Sequence, residues 1–166
     1  MIYLDNAAST AVHPEVVKEM LPYFDIQYGN PSSIHQFGRK AKNAIQKARK
    51  QVAALIGAEP DEILFTSGGT ESNNTILYGI PKLHEITHVD FDIGHNHAIT
   101  SSVEHEAILE PCKKLEEMGF KVTYISVDEY GAVDSNSIAD SITENTVLVS
   151  IMFANNEVGT IQPIKE

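Results

Sequence analysis

The stretch that decides the fold is Glu62–Asn74, with the sequence Glu-Ile-Leu-Phe-Thr-Ser-Gly-Gly-Thr-Glu-Ser-Asn-Asn. Its apolar residues 63–65 predict a short buried strand, and the segment after Gly69 is compatible with a helix. The glycines allow a sharp turn with exposed amides, and Ser67 or Thr70 is a candidate helix cap. Amides at the positive end of a helix dipole favour an anion. The stretch therefore predicts a phosphate-binding turn, although glycine and threonine at such a junction can also serve only to cap the helix.

Composition limits the classes of protein that this chain can represent. It has 166 residues, a hydrophobic content of 42%, a formal net charge of −11 and one cysteine. The length fits one globular domain, and the negative charge disfavours a nucleic-acid partner. No apolar run is long enough to cross a membrane, and the first residues lack the pattern of a signal peptide. A single cysteine excludes an internal disulfide, and we expect a cytoplasmic protein with no membrane association.

The clearest helix covers residues 37–55, where apolar side chains recur every three or four positions and Gly57 ends the pattern. Ser32 or Ser33 is the predicted cap at its start. Half of the 12 basic residues of the chain fall between residues 39 and 50. This clustering favours a solvated helix face, and a docking face for an acidic partner protein is the alternative.

Strands and helices alternate along the rest of the chain. The patterns predict strands at residues 98–103, 122–127 and 146–152, with helices near 107–118 and 138–142. Such alternation is typical of an α/β fold, with a mostly parallel sheet flanked by helices. Cys112 falls on the apolar face of its helix, so we interpret it as a buried core residue rather than a reactive thiol.

Residues 82–97 resist a simple assignment. They contain four histidines, His84, His88, His95 and His97, and they follow Pro81, which we expect to end the preceding helix. Histidines at these spacings could bind a metal ion. The neighbouring Gly94 and Asn96 favour an exposed polar loop instead, and we predict no metal site.

Ligands of parallel α/β sheets bind beyond the carboxyl ends of the strands. Three predicted strands end in polar residues, which include Thr70, His105 and Asn156. The glycine-rich turn suits a phosphate, an imidazole can stack on a planar ring and move protons, and an asparagine amide can donate to a ring oxygen. A phosphate, a flat ring and a ring hydroxyl together describe pyridoxal 5′-phosphate (PLP). The alternative for His105 is a structural histidine satisfied by the backbone at the end of a strand.

Five sequence motifs occur in order along the chain: Ile2–Thr10, Gly29–Ser33 with His35, Phe65–Ser72, Val103–Ala107 and Asn155–Gly159. Together they closely resemble cysteine desulfurases of the NifS/IscS type, which are class V, fold-type I PLP enzymes. The resemblance implies that residues 1–166 are the N-terminal part of the large PLP-binding domain. The C-terminal part of that domain and the small domain of the family are absent from this sequence.

The resemblance also implies roles for individual residues. Gly69 and Thr70 would bind the phosphate of PLP, and His105 would stack on the pyridine ring and act as the catalytic proton carrier. Asn156 would bond the ring hydroxyl. The position of Gly69 is more often alanine in the family, a change that we expect to be tolerated. The family removes sulfur from L-cysteine, leaving L-alanine and an enzyme persulfide that supplies iron–sulfur scaffolds or other sulfur acceptors.

The family's Schiff-base lysine, its persulfide cysteine and the aspartate that pairs with the pyridine nitrogen all match positions beyond residue 166. We therefore expect this polypeptide alone to be inactive. Its expected partners are a second copy, as in the dimers of the family, or a complementary C-terminal chain. Two alternatives stay open: a truncated binding protein without catalytic activity, and another class V enzyme such as a selenocysteine lyase.

Overall fold

The computed structural model describes residues 2–87 and 95–165, and the chain divides into two compact units, Met1–Phe65 and Thr66–Glu166. The first unit contains the helices α1 (Pro14–Met20), α2 (Pro22–Asp25) and α3 (Gln36–Ile56), followed by a 3₁₀ turn at Pro60–Glu62. The second unit contains the helices α4 (Gly69–Thr87), α5 (Glu106–Glu117) and α6 (Ser135–Ser141). Its strands are β1 (His97–Ser101), β2 (Lys121–Ile125) and β3 (Thr146–Ser150).

Helix α3 matches the predicted helix closely. It ends at Gly57, whose φ of 72° places it in the left-handed region that favours glycine. The predicted serine cap is wrong, because His35 precedes the helix and its Nδ1 accepts a hydrogen bond from the amide of Gly38 at 3.4 Å. An imidazole nitrogen thus satisfies one of the free amides that every helix start leaves.

The loop of residues 29–33 lies against the first turn of α3. A Cβ added to Gly38 would be 2.2 Å from the carbonyl oxygen of Ser33 and 2.7 Å from that of Asn30. A Cβ on Gly29 would likewise be 2.5 Å from the carbonyl oxygen of Phe37. Both glycines are therefore required by close backbone approach rather than by an unusual φ.

The strand predicted at residues 63–65 is not formed. Ile63 keeps an extended conformation, with φ −94° and ψ 120°, but no ladder partner pairs with it within residues 2–87 and 95–165. Its carbonyl oxygen instead accepts a hydrogen bond from the guanidinium of Arg49, which also lies 5.0 Å from the ring centroid of Phe65. Arg49 of α3 therefore binds the segment of residues 63–65 and is not simply a solvated cation.

The second unit confirms the predicted α/β class. Among the residues that the structure describes, this unit has three parallel strands in the order β2-β1-β3, so β1 is central. One face of the sheet packs on α4 and α5 through the buried cluster Leu77, Ala98, Ile108, Cys112, Leu115 and Val122. On the other face, Ile99 and Ile125 of the sheet form a second buried cluster with Val133, and Ile138 of α6 packs against it. Cys112 is 1% exposed, so its interpretation as a core residue is confirmed.

Helix α4 does not end at Pro81 but continues to Thr87, so the loop predicted from residue 82 is wrong over its first part. His88 and Gly94 lie outside the described residues. His97 begins β1, and its two ring nitrogens bond the hydroxyls of Thr146 and Thr123, each at 2.8 Å. This histidine ties the three strands together at the amino end of the sheet.

Candidate active site

His105 lies just beyond the carboxyl end of β1, at the start of α5. Its Nδ1 accepts a hydrogen bond from the amide of Ala107 at 3.0 Å and caps the helix. Because this nitrogen accepts, the neutral imidazole carries its proton on Nε2. The alternative interpretation of His105, a histidine satisfied by the backbone, therefore holds for Nδ1 but not for Nε2. The side chain is nevertheless exposed, so Nε2 can reach a ligand.

Asn155 and Asn156 lie in the loop that follows β3, and their environments differ. The Asn155 side chain donates from Nδ2 to the carbonyl oxygen of Val103 at 3.0 Å. Its Oδ1 accepts from the amides of Glu157 and Val158 at 2.8 and 3.0 Å. Asn155 therefore fixes the loop, whereas Asn156 is exposed and free to present its amide to a ligand.

A cavity of about 700 Å³ lies at the carboxyl edge of the sheet. The loops that follow all three strands line it, and His105 and Asn156 are both among its lining residues. The parallel order with β1 beside β3 brings these two side chains to one place.

Sequence reasoning missed the third wall of this cavity, which is the loop of residues 128–131 after β2. Gln162 holds that loop: its Nε2 donates to the carbonyl oxygen of Gly131 at 2.8 Å, and its Oε1 accepts from the amide of Val133 at 2.9 Å. The same strand-end rule would have identified the loop, since β2 was predicted. Gln162 itself carries no sequence signal, because its contacts bridge about 30 residues.

Glu104 is a second residue that the sequence left without a role. It is 8% exposed, and its Oε1 accepts from the Ser101 hydroxyl at 3.0 Å and from the amide of Met152 at 2.7 Å. Burial raises the pKa of this carboxyl above its ordinary value, while the two hydrogen bonds act in the opposite direction. Glu104 thus joins the carboxyl end of β1 to the segment that follows β3.

Gly69 and Thr70 form the first turn of α4, as expected for the predicted phosphate-binding turn, but they are not among the residues that line the cavity. A Cβ added to Gly68 or Gly69 would meet no atom within 4 Å, so a ligand can approach this backbone closely. Neither glycine is among those with positive φ, so the turn does not depend on that conformation.

Neither Ser67 nor Thr70, the two predicted caps of α4, is recorded as accepting a hydrogen bond from an amide of that helix. Ser67 donates its amide and its hydroxyl to the carboxylate of Glu71, both at 2.6 Å, and these bonds lower the pKa of Glu71. Thr70 lies inside the helix rather than at its cap. The amides of the first helical turn, which lack partners in their own helix, therefore stay available for an anion.

No group of three or more His, Cys, Asp or Glu side chains that could hold a metal ion occurs among the described residues. Over the same residues, no helix is long and apolar enough to cross a membrane.

Comparison with known proteins identifies the family. The profile described as aminotransferase class-V matches residues 2–166. Over 165 residues the chain is 52% identical to the cysteine desulfurase IscS of Methanosarcina thermophila and 48% identical to that of Dictyoglomus turgidum. The chain belongs to the class V aminotransferase family. These alignments cover 99% of the chain but only 39% and 40% of the two relatives, so the chain spans about two fifths of their length.

Solved structures share this fold over nearly the whole chain. A NifS-like protein superposes with a TM-score of 0.90 and 43% identity, covering 99% of this chain and 43% of that one. The structure described as SspA in complex with cysteine gives a TM-score of 0.87 and 41% identity, covering 98% of this chain and 45% of that one. Class V aminotransferases are PLP-dependent enzymes. The open glycine turn and the exposed His105 and Asn156 side chains are chemically suited to that cofactor.

Proposed function

We propose that this chain is the N-terminal part of a PLP-dependent cysteine desulfurase. The observation that carries the proposal is the cavity at the carboxyl edge of the sheet, which gathers His105 and Asn156 from two neighbouring strand ends. Relatives that match over 99% of the chain are named cysteine desulfurases, which supports this activity over others in the family. The reaction would convert L-cysteine to L-alanine and leave the sulfur as a persulfide on an enzyme cysteine.

We assign the cofactor contacts as follows. The amides of Gly69 and Thr70 bind the phosphate, aided by the positive end of the α4 dipole. The His105 ring stacks on the pyridine, and the Asn156 carboxamide donates to the ring hydroxyl. When bound, PLP supplies an electron sink that stabilises negative charge developing on the substrate carbons.

His105 is the group of this chain that moves protons. Its Nδ1 is held by the amide of Ala107, which fixes the ring and directs Nε2 outward as the exchanging atom. Asn155 holds the loop that carries Asn156 by three hydrogen bonds, so the carboxamide of Asn156 is presented in a defined position. Residues 128–131 line a third side of the cavity.

The remaining catalytic groups come from a second part of the enzyme. We propose that a C-terminal segment or chain supplies the lysine that binds PLP and the cysteine that takes the sulfur. The single cysteine of this chain, Cys112, is buried and its pKa is raised to about 11, which does not suit a persulfide carrier. Further proposed partners are a second copy of the enzyme and an iron–sulfur scaffold or another sulfur acceptor, in a reducing cytoplasm.

The test is reconstitution. The chain is co-expressed with a polypeptide that supplies the C-terminal part of the family, and alanine and sulfide are measured from L-cysteine with PLP and a thiol reductant. We expect both products in equal amounts from the assembled protein and neither from the isolated chain. Lack of both products from a stable, PLP-loaded assembly would refute the desulfurase proposal, and products from selenocysteine alone would identify the selenocysteine lyase activity instead.

One variant tests the assignment of His105. Asparagine is a good helix cap, so His105→Asn keeps the start of α5 but removes the ring that stacks and carries the proton. We expect activity to fall about 100-fold or more while the unfolding temperature changes little, since general acid–base catalysis contributes about that factor. The reverse result, lost stability with retained activity per folded molecule, would reduce His105 to a structural cap.

A further inference from the structure

Beyond the residues that contact the cofactor, we propose that Glu104 is a positioning residue that holds His105 and Asn156 in register. This inference rests on the proposed function, because it concerns the geometry of the same cavity. The Oε1 atom of Glu104 accepts two hydrogen bonds, from the Ser101 hydroxyl at 3.0 Å and from the Met152 amide at 2.7 Å. The first donor ends β1, and the second follows β3.

The Glu104 side chain connects the segment after β1, which carries His105, to the segment after β3, which carries Asn156. Glu104 directly precedes His105, and Met152 lies four residues before Asn156 in the loop after β3. A second hydrogen bond joins the same two segments: the Nδ2 of Asn155 donates to the carbonyl oxygen of Val103 at 3.0 Å. In both bonds the donor lies on the segment after β3 and the acceptor on Val103 or Glu104, so two separate attachments restrict the separation and the rotation of the two segments.

Stability alone does not account for a carboxylate at this position. Glu104 is 8% exposed, and burial raises the pKa of its carboxyl. The ion pairs recorded for the described part of the chain join Lys113 to Glu110 and Lys114 to Glu117, so none of them compensates Glu104. A buried carboxylate without a cation costs free energy, which an apolar side chain would not. What the carboxylate provides is one oxygen that can accept from Ser101 at the end of β1 and from Met152 in the segment after β3.

The proposal depends on reach rather than on charge. Glu104→Gln removes the charge but keeps an oxygen at the same distance from the backbone, so it can still accept from Met152 and Ser101. Glu104→Asp keeps the charge but shortens the side chain by one methylene, so it cannot reach both donors. Loss of the acceptor leaves the part-buried amide of Met152 without its partner, and such losses correspond to about a tenfold change in an equilibrium constant.

The experiment uses the chain assembled with its C-terminal part. Four quantities are measured for each variant: the PLP dissociation constant, the circular dichroism signal of bound PLP, and the kcat and KM for L-cysteine. For Glu104→Asp we expect about tenfold weaker PLP binding, an altered dichroism signal and a lower kcat with little change in KM. For Glu104→Gln we expect PLP affinity and kcat to stay within about threefold of the unaltered assembly. Ser101→Ala, which removes one of the two donors, should give an intermediate change in PLP affinity.

Each outcome decides the question. Gln failing as badly as Asp would show that reach without the charge is not sufficient, and would overturn the proposal. Unchanged PLP affinity and dichroism in Glu104→Asp, with only a lower unfolding temperature, would make Glu104 a structural residue and also overturn it. If Glu104→Asp does not fold, the PLP dissociation constant of Ser101→Ala is compared with that of the unaltered assembly instead. Equal PLP affinity would refute the positioning role of Glu104. Absence of desulfuration in the unaltered assembly would refute the proposed function. The PLP affinities of the variants would still test the positioning role of Glu104, because they do not depend on that activity.

Discussion

Cys112 gives the most direct test of the proposal that the cysteine that takes the sulfur lies outside this chain. The side chain is 1% exposed in the cluster between the sheet and α5, and its pKa is raised from 9.0 to about 11. Burial is the main cause, and the negative charges of Glu116 and Glu104 add to it. At pH 8 this shift lowers the thiolate fraction from about 9% to about 0.1%. We therefore expect a thiol reagent to modify Cys112 about 100-fold more slowly in the folded chain than in the chain unfolded by urea.

The assay is the rate of reaction with a chromogenic disulfide reagent at pH 8. The control is Ser102→Cys in a Cys112→Ala background, because Ser102 is exposed and its thiol should react rapidly in the folded protein. In the assembled enzyme, Cys112→Ala should retain sulfide release within about twofold, as expected for a substitution away from the chemistry. Rapid stoichiometric labelling of Cys112 in the folded chain, or loss of sulfide release in Cys112→Ala, would refute this reasoning.

Three further predictions concern folding and assembly. Gly38→Ala should lower the free energy of unfolding by about 2 kcal/mol, because the added Cβ would be 2.2 Å from the carbonyl oxygen of Ser33. Gly69→Ala is the control and should be tolerated, because its Cβ would meet no atom within 4 Å. Urea unfolding measures both variants, and equal stability would contradict the clash at Gly38. His97 has a pKa below 6.5, chiefly through burial and then through the charge of Lys121. The unfolded state therefore binds more protons, and stability should fall as pH drops below about 6.5; His97→Gln should flatten this part of the pH profile in thermal unfolding, and an unchanged slope would refute the assignment. Many large apolar side chains are exposed in both units, so the isolated chain should self-associate in sedimentation velocity, and a monodisperse monomer at high concentration would contradict this.

Local patterns predicted those elements whose cause is local. Helix α3 was predicted within a residue or two at both ends, because its apolar spacing and Gly57 act within a few residues. The parallel α/β class followed from the alternation of strands and helices, and the burial of Cys112 followed from its helix face. In each case the sequence signal and the structural outcome involve the same short segment.

The errors arose where distant contacts override local preference. Pro81 lies inside α4 although proline removes a helical hydrogen bond, and the same helix buries Leu77 against α5 in the core cluster. Tertiary packing of this kind outweighs intrinsic helix propensity. Residues 63–65 have a strand-like composition, yet a strand exists only where a neighbouring strand supplies hydrogen bonds. Their backbone is extended at Ile63, and Arg49 takes the place of a ladder partner.

The sequence by itself determined which polar residues follow each strand, including His105 and Asn156, because strand ends are marked by local changes in composition. Only the tertiary structure decided that β1 lies beside β3, so that these two residues line one cavity, and that Gly69 and Thr70 are not part of its lining. Only the tertiary structure, too, assigned Glu104 and Gln162 to the site. Strand order and shared hydrogen bonds depend on pairings between segments about 30 to 50 residues apart, and no periodicity within a single segment records them.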